Sequence, residues 1–292
     1  MLDFLRLIRL PNLLVVALTQ VLIYYRVVLP AYAKIGLEPV LNSIYFTLLV
    51  IVTMVVTAGG YVINDILDAR SDMVNRPGTN KVYQIGLGRV RWLYIGLIIL
   101  GFGISFFLAI ELDERKLIWL YPLMVSLLSL YSTYIKPVPL AGNVLVAVYC
   151  AGVPALIALA ERKQLSQLHQ YDVEVANTTW QIIGVYCLFA FVATLLRELV
   201  KDIEDIHGDR VIGRRTIPVL WGVSISRGLS IALSLLILAS VSIPVIMGWP
   251  AFSHPLILAF MAVLSLSTLY FVYRLIRSQE PRDFGQISTQ LT

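Results

Sequence analysis

Charged residues are scarce in this sequence. Only 14% of its 292 residues are Asp, Glu, Lys or Arg, whereas 58% are hydrophobic and the mean hydropathy is +0.80. Soluble globular domains carry about 25% charged residues. The composition therefore excludes a water-soluble globular domain and indicates a chain that lies mostly within a membrane.

Cysteine and histidine are also rare, with two of the first and three of the second. Cys150 and Cys187 lie inside apolar stretches and have neither the pattern of a disulfide framework nor the spacing of a metal site. We interpret them as small core residues. The basic residues are not interleaved with aromatic ones, so no nucleic-acid partner is expected.

Long apolar runs occupy most of the chain. A helix that crosses a bilayer needs about 20 apolar residues, and a backbone in lipid must satisfy its own hydrogen bonds, which favours helices. Eight runs meet this length, at roughly 11–30, 43–63, 92–110, 117–135, 138–160, 179–196, 228–248 and 254–273. The sequence therefore predicts an all-α, polytopic transmembrane helical bundle that forms a single domain over residues 1–292.

The first apolar run could be mistaken for part of a signal peptide. The run is too long for the apolar part of a signal peptide, and seven more runs follow it, so we expect a retained span.

The polar segment 161–180 is interpreted as an ordinary loop between the fifth and sixth spans, with an interfacial helix as the alternative.

Positive charge is distributed unevenly across this topology. Of the 23 Lys and Arg residues, 17 lie on the side that holds the N-terminus and the segments after the even-numbered spans. Positively charged loops tend to stay in the cytoplasm. We therefore expect an integral protein of the cell (inner) membrane whose N-terminus lies in the cytoplasm.

One acidic pattern occurs twice on that side. Residues 64–72 read NDILDARSD and residues 201–209 read KDIEDIHGD, and each segment contains three aspartates spaced i, i+3, i+7. On a helix this spacing places the carboxylates along one stripe, where like charges repel. Positive charge is therefore expected beside each stripe.

Magnesium fits these residues best. Mg²⁺ prefers oxygen ligands, and proteins often hold it with a few carboxylates together with substrate phosphates. Asn64 adds an amide oxygen to the first stripe, and basic residues follow both motifs. Two such stripes could hold two ions bridged by a diphosphate. The alternative is two solvated loops, but the repeated spacing on one side of the membrane argues against it.

The position of the motifs indicates the shape of a substrate. They follow the second and sixth spans, so a charged pocket would open at the cytoplasmic mouth of the bundle. A substrate could place its phosphates in this pocket and its hydrocarbon tail among the helices, and an isoprenoid diphosphate has that shape. Metal and cationic groups would stabilise its departing diphosphate.

These features resemble the UbiA superfamily of intramembrane prenyltransferases. The patterns N-D-x-x-D-x-x-x-D after the second span and D-x-x-x-D after the sixth are similar to the family's motifs, as is SLYSTYIKPVPLAGNVLVAV at 129–148. The resemblance implies an all-α bundle around a central cavity, usually with nine spans. It also implies Mg²⁺-dependent transfer of a prenyl group from a prenyl diphosphate to a lipophilic acceptor. The chain ends at FGQISTQLT, where a ninth span would begin, and the alternative is a true eight-span variant.

The resemblance also implies roles for individual residues. Those that match the family's metal ligands are Asn64, Asp68, Asp72, Asp205 and Asp209. The four aspartates among them are expected to be catalytic. Those expected to bind the diphosphate, or to support the residues that do, are Arg76, Lys81, Lys201, Arg215, Asp65 and Asp202.

Within the family, residues 197–219 look most like the branch that prenylates geranylgeranylglyceryl phosphate, an ether-lipid precursor, with geranylgeranyl diphosphate as donor. After the first motif, members of this branch commonly continue N-R-P-x-R-P-L/I-x-S-G, whereas here the chain reads NRPGTNKVYQIGLGR. The second arginine and the serine are missing, and Lys81 could supply one phosphate contact. An aromatic acceptor, as in quinone or heme-type biosynthesis, is therefore kept as an alternative.

Two more distant alternatives come from other classes of membrane protein. A CDP-alcohol phosphotransferase also has clustered aspartates, but within one continuous segment, whereas four spans separate the two motifs here. A cation transporter should carry charged groups deep in its spans. Predicted spans two to eight contain no formal charge, so both alternatives fit the sequence less well.

Overall fold

The described part of the chain is helical. The computed structural model describes residues 2–75, 80–135, 138–211, 213–249, 252–278 and 283–284, and the side chains of residues 2, 70–75 and 116 lie outside this description. Within these ranges the chain forms helices joined by turns and short irregular segments, without strands. The predicted all-α class is confirmed.

In the part of the chain that the structure describes, eight helices are long and apolar enough to cross a membrane, as predicted. They are Leu10–Ala33, Ser43–Ala69, Leu87–Glu111, Leu117–Ile135, Ala141–Ala160, Val173–Glu204, Ile217–Ile246 and Pro255–Arg277. The second and sixth extend well beyond their apolar runs, because hydropathy marks the lipid-facing part of a helix and not its end. The ninth span implied by the resemblance stays a prediction, since residues 285–292 lie outside the described residues.

Thirteen α-helices follow one another along the described chain. In order they are α1 (Leu2–Leu7), α2 (Leu10–Ile23), α3 (Leu29–Ala33), α4 (Ser43–Asn75), α5 (Lys81–Ile85), α6 (Leu87–Glu111), α7 (Leu120–Leu130), α8 (Ala141–Ala160), α9 (Arg162–Tyr171), α10 (Val173–Glu204), α11 (Ile206–Val211), α12 (Ile217–Ile246) and α13 (Pro255–Arg277). A wider π-helical turn, Tyr24–Val28, joins α2 to α3, so the first span is continuous.

The helices group into two compact units. The first comprises Met1–Ile135 with Leu156–Tyr171, and the second comprises Lys136–Ala155 with Asp172–Thr292. Each unit contains one of the acidic motifs. The single domain over residues 1–292 and the cavity within the bundle stay predictions.

In the first unit, the core fixes the end of α4 that carries the first acidic motif. Helix α4 packs against α2, α6 and α7. A buried cluster of apolar side chains, which joins α4 to α1, α5 and α6, consists of Leu7, Val62, Val82, Ile85 and Val90. Val62 lies just before the motif, so this cluster holds the helix in place at that point.

In the second unit, the core fixes the end of α10 that carries the second motif. Helix α12 packs against both α10 and α13. Val200 and Ile203 of α10 are fully buried and pack with Ile237, Leu275 and Phe284. Because these two residues flank the first residues of the motif, the backbone of α10 is well supported there.

The polar segment 161–180 is not an ordinary loop, and the alternative of a helix within it is the one observed. It contains α9, in which Leu165 and Leu168 are fully buried. Glu161, just before α9, is also fully buried. A hydropathy pattern cannot show this, because the polar residues are satisfied by tertiary contacts.

The buried Glu161 fastens the connection between the first two spans. Its carboxylate accepts hydrogen bonds from the backbone N–H groups of Val40 at 3.1 Å and Leu41 at 2.8 Å. The Tyr32 hydroxyl donates to the same carboxylate at 3.3 Å. Three donors satisfy the charge, which makes burial of a carboxylate tolerable.

A second carboxylate of the first unit has a bidentate arginine partner. Arg162 donates from Nε at 3.1 Å and from Nη2 at 2.6 Å to the two oxygens of Glu114. The Glu114 side chain is 5% exposed, and Lys163 lies 3.4 Å away. The hydrogen bonds from Arg162 lower the pKa of the Glu114 carboxyl.

We expect the stabilising effect of Glu114 to depend on pH. Because the folded-state pKa is lowered, the ionised carboxylate stabilises the fold at neutral pH, and this contribution is lost as the pH falls through that pKa. Half of the Arg162 side chain is exposed, so we expect Glu114→Gln to cost only about 1 kcal/mol. That corresponds to roughly 2–4 °C in Tm.

Thermal unfolding of both proteins in detergent between pH 4 and 8 measures this effect. The difference in Tm should be largest at neutral pH and shrink below about pH 4.5. The exposed Glu174 of α10 provides a control, since Glu174→Gln should show no such trend. A Glu114→Gln difference that is constant across the range would contradict the role of the ion pair.

Candidate functional site

The first acidic motif lies on the last turns of α4, which is helical up to Asn75. Asn64 and Asp68 are four residues apart and therefore share a face. The side-chain amide of Asn64 donates a hydrogen bond to Asp68 Oδ2 at 2.9 Å. Both side chains are half-buried. An amide oxygen and a carboxylate are thus neighbours on one face of α4, as the spacing predicts.

Asp65 has a cationic partner that the sequence analysis missed. Arg9 Nη2 lies 3.3 Å from Asp65 Oδ1. The same guanidinium lies over the Tyr61 ring, 4.5 Å from its centroid, and Asn12 donates to the Tyr61 hydroxyl at 3.2 Å. The start of α2 therefore supplies positive charge beside the first stripe.

The chain returns to the first motif at Asn80. This buried side chain donates from Nδ2 to the backbone oxygen of Asp65 at 3.1 Å. Its Oδ1 accepts a backbone hydrogen bond that caps α5. The neighbouring Lys81 donates from Nζ to Gln84 at 2.9 Å, and the contact of Lys81 with a phosphate stays a prediction.

The second acidic motif crosses a junction between two helices. Helix α10 ends at Glu204, Asp205 occupies the next position, and α11 begins at Ile206. The backbone N–H groups of Asp205 and Asp209 still bond to the carbonyl oxygens four residues earlier, at 2.9 and 3.0 Å. The aspartates therefore remain on successive turns, although the expected single helix is interrupted at Asp205.

Two aspartates of the second motif have partners of different charge. Asp209 is 3% exposed, and Arg214 Nη1 lies 3.6 Å from its Oδ1. The backbone N–H of Arg214 also donates to the carbonyl oxygen of Asp209 at 2.8 Å. Asp202 instead accepts a hydrogen bond at Oδ2 from the neutral side-chain amide of Asn143, at 2.8 Å.

Four other predicted site residues have no described contact that tests their roles. Lys201 is half-buried and Arg215 is exposed. The side chain of Asp72 and the whole of Arg76 lie outside the described residues. The roles of these four residues stay predictions.

Three residues next to the motifs were missed by the sequence analysis: Arg9, Asn80 and Asn143. Arg9 is 56 residues from Asp65, and Asn143 is 59 residues from Asp202. Both are polar residues at the start of an apolar run, on the predicted side of the motifs. Their position at the start of an apolar run was the one feature of the sequence that could have identified Arg9 and Asn143. Tertiary packing alone determines which aspartate each of them contacts.

The described donor atoms fit magnesium. The metal candidates with described side chains, namely Asn64, Asp68, Asp205 and Asp209, offer amide and carboxylate oxygens. Within the described residues, no three His, Cys, Asp or Glu side chains cluster as a metal site. Mg²⁺ needs few protein ligands, because water and substrate phosphates complete its coordination. Each acidic motif offers a small set of oxygen donors, which is enough for an ion that needs few protein ligands.

Comparison with known proteins decides the family. The sequence model described as the UbiA prenyltransferase family matches residues 27–286. The chain belongs to the UbiA prenyltransferase family. The match includes both acidic motifs, and the predicted enzyme class, a prenyltransferase embedded in the membrane, is confirmed. The CDP-alcohol phosphotransferase and transporter alternatives find no support.

Individual UbiA proteins are similar over most of the chain. A digeranylgeranylglyceryl phosphate synthase of Methanopyrus kandleri is 31% identical over 208 residues, which are 68% of each chain. A solved structure of a digeranylgeranylglyceryl phosphate synthase has a TM-score of 0.64 and 21% identity, and covers 99% of this chain and 92% of the other. A UbiA homologue from Archaeoglobus fulgidus, bound to DMAPP and Mg²⁺, has a TM-score of 0.58 and 16% identity, with 99% and 96% covered. At these identities the two structures support the UbiA fold.

Proposed function

We propose that this protein transfers a geranylgeranyl group from geranylgeranyl diphosphate to geranylgeranylglyceryl phosphate. The observation that carries the proposal is the pair of acidic motifs, both of which fall within the residues matched by the family. The choice of acceptor is supported by residues 197–219 and by the 31% identity to the Methanopyrus kandleri synthase.

The diphosphate of the donor is assigned to the two acidic motifs. Asn64, Asp68, Asp72, Asp205 and Asp209 would hold Mg²⁺, and the Archaeoglobus fulgidus homologue provides support because it binds Mg²⁺ together with DMAPP. Bound magnesium would neutralise the negative charge that develops on the leaving diphosphate.

Basic side chains bind the phosphate oxygens. Lys201 lies within the second motif and Arg215 follows it, while Arg76 and Lys81 follow the first. Arg9 and Arg214 have a different task. Each places a guanidinium against an aspartate, which reduces the repulsion that an incoming diphosphate would meet.

The reaction exchanges one oxygen substituent on C1 of the prenyl group for another. The bond from C1 to the diphosphate oxygen breaks, and the hydroxyl oxygen of the acceptor forms a new bond to the same carbon. The hydroxyl proton is lost to water or to the released diphosphate. Cationic side chains aimed at the leaving diphosphate accelerate this step, because the negative charge on that group increases in the transition state. The apolar spans provide the environment for the prenyl chain.

We also propose that the reaction takes place at the cytoplasmic side of the cell (inner) membrane. The support is the distribution of basic residues, of which 17 of 23 lie on the predicted side of the acidic motifs. A cysteine-labelling experiment on sealed vesicles would test the orientation of that side.

An aromatic acceptor is the second candidate. The segment after the first motif, NRPGTNKVYQIGLGR, lacks the second arginine and the serine that are common in the ether-lipid branch. The missing arginine and serine are expected to lie near the phosphates. A phosphate-containing acceptor would therefore be bound with fewer contacts than in the ether-lipid branch.

A competition experiment tests the proposed function. The purified protein, supplied with Mg²⁺ and geranylgeranyl diphosphate, is offered geranylgeranylglyceryl phosphate and 4-hydroxybenzoate together, and the products are identified by mass spectrometry. We expect only the prenylated glyceryl phosphate lipid, and no product from Asp205→Ala. Prenylation of the aromatic acid alone would replace the acceptor, and a folded protein that forms neither product would contradict the proposal.

A further inference from the structure

Asn143 belongs to a segment whose role the proposed function leaves open. The segment 129–148, SLYSTYIKPVPLAGNVLVAV, resembles the family ahead of its fifth helix. Asn143 lies in the first turn of α8 and is half-buried. Its Nδ2 donates to Asp202 Oδ2 at 2.8 Å across 59 residues of sequence. Both residues belong to the second unit, so this contact joins two of its spans directly beside the second acidic motif.

The charge of the partner distinguishes Asp202 from two other aspartates of the motifs. Asp65 and Asp209 each meet a guanidinium, which offsets their negative charge. Asn143 fixes the direction of the Asp202 carboxylate but carries no charge. The 2.8 Å hydrogen bond from Asn143 therefore sets the orientation of the Asp202 carboxyl group without placing a positive charge beside it.

The same arrangement occurs in the first motif. There Asn64 donates its side-chain amide to Asp68 at 2.9 Å, and Asp68 matches a metal ligand of the family. In both motifs an asparagine amide orients a carboxylate near the end of a helix that is long and apolar enough to span the membrane. The two asparagines differ in origin, because Asn64 lies on the same helix as its partner, whereas Asn143 comes from another helix.

We propose that Asn143 is a positioning residue that orients the Asp202 carboxylate toward the metal–diphosphate complex. The inference rests on the proposed function, and extends it by giving Asp202 the same task as Asp68. Residues that orient a ligand by hydrogen bonding typically change metal affinity by about 10–100-fold when removed. The effect should therefore appear in metal binding, without any turnover.

The test measures binding of Mn²⁺ by electron paramagnetic resonance in the presence of geranylgeranyl thiodiphosphate, an unreactive donor analogue. Asn143→Asp keeps the size of the side chain but places a second carboxylate against Asp202. Asn143→Ala removes the donor altogether. We expect Asn143→Ala to weaken Mn²⁺ binding about 10-fold and Asn143→Asp to weaken it further. Asn177 of α10 is exposed, and Asn177→Ala should bind Mn²⁺ like the wild type.

A reciprocal exchange separates positioning from simple stabilisation. The double variant Asn143→Asp/Asp202→Asn restores an amide–carboxylate hydrogen bond between the two helices, but moves the carboxylate from α10 to α8. We expect it to recover the Tm of the wild type without recovering Mn²⁺ affinity. Recovery of both, or wild-type Mn²⁺ affinity in Asn143→Ala, would overturn the inference. Prenyl transfer by the wild type in the same preparation tests the proposed function separately.

Discussion

Replacing Asp68 or Asp205 with alanine should abolish the release of diphosphate from geranylgeranyl diphosphate, a fall of about 10³-fold or more. Each aspartate is predicted to hold Mg²⁺, and loss of one group that stabilises charge in a transition state already costs about 10²–10³-fold. The two residues lie in different units, so equal losses would show that both motifs serve one reaction. Diphosphate release is measured with a coupled colorimetric assay under saturating donor.

Asp113 provides the matched control for this prediction. It is an acidic residue on a turn far from both motifs in sequence, and its side chain is 86% exposed. Asp113→Ala removes the same charge and should keep wild-type turnover. The Tm of all three variants must be measured, so that loss of activity is not confused with loss of fold. Unchanged turnover in either motif variant would overturn the assignment of that motif.

Removal of divalent metal should have an effect as large as either substitution. The described metal candidates are oxygen donors, and such donors suit Mg²⁺. Without an ion, these carboxylates would repel the diphosphate. We therefore expect a chelator to stop prenyl transfer, with about 10³-fold less product, and added Mg²⁺ to restore it.

A salt control completes the metal experiment. Sodium chloride added to equal ionic strength screens exposed charges but cannot bridge carboxylates and phosphates, so it should leave the chelated protein inactive. The fold should survive chelation, since the cores of both units consist of apolar side chains. Prenyl transfer that continues at the wild-type rate after chelation would show that the acidic motifs act without metal.

The spans and their number could be predicted from the sequence, because burial in lipid imposes a simple rule on composition. Every predicted apolar run corresponds to an observed helix. The ends of the helices were harder to predict. Helices α4 and α10 continue past their apolar runs into the acidic motifs, since a helix needs only backbone hydrogen bonds and continues equally well outside the lipid.

The contacts of the site could be predicted only in part. The pair Asn64 and Asp68 follows from helical spacing, because residues four apart share a face. The partners Arg9 and Asn143 could not be derived in this way, since each reaches its aspartate through tertiary packing. The break at Asp205 was also missed, as the spacing of carboxylates is compatible with one helix or two.

The buried Glu161 shows the same limit away from the motifs. Its segment is polar, and polar segments usually lie in solvent. Here three hydrogen-bond donors from the connection between the first two spans satisfy the carboxylate. Only the folded chain brings these donors together, so no local pattern in the sequence indicates that Glu161 is buried.

The central claim, that both acidic motifs bind one and the same prenyl diphosphate through magnesium, can be tested by isothermal titration. Wild-type protein with Mg²⁺ is titrated with geranylgeranyl thiodiphosphate, and so are Asp68→Ala and Asp205→Ala. We predict one bound analogue per chain in the wild type and loss of binding in both variants. Two bound analogues per chain, with one retained in each variant, would show two separate sites and contradict the claim.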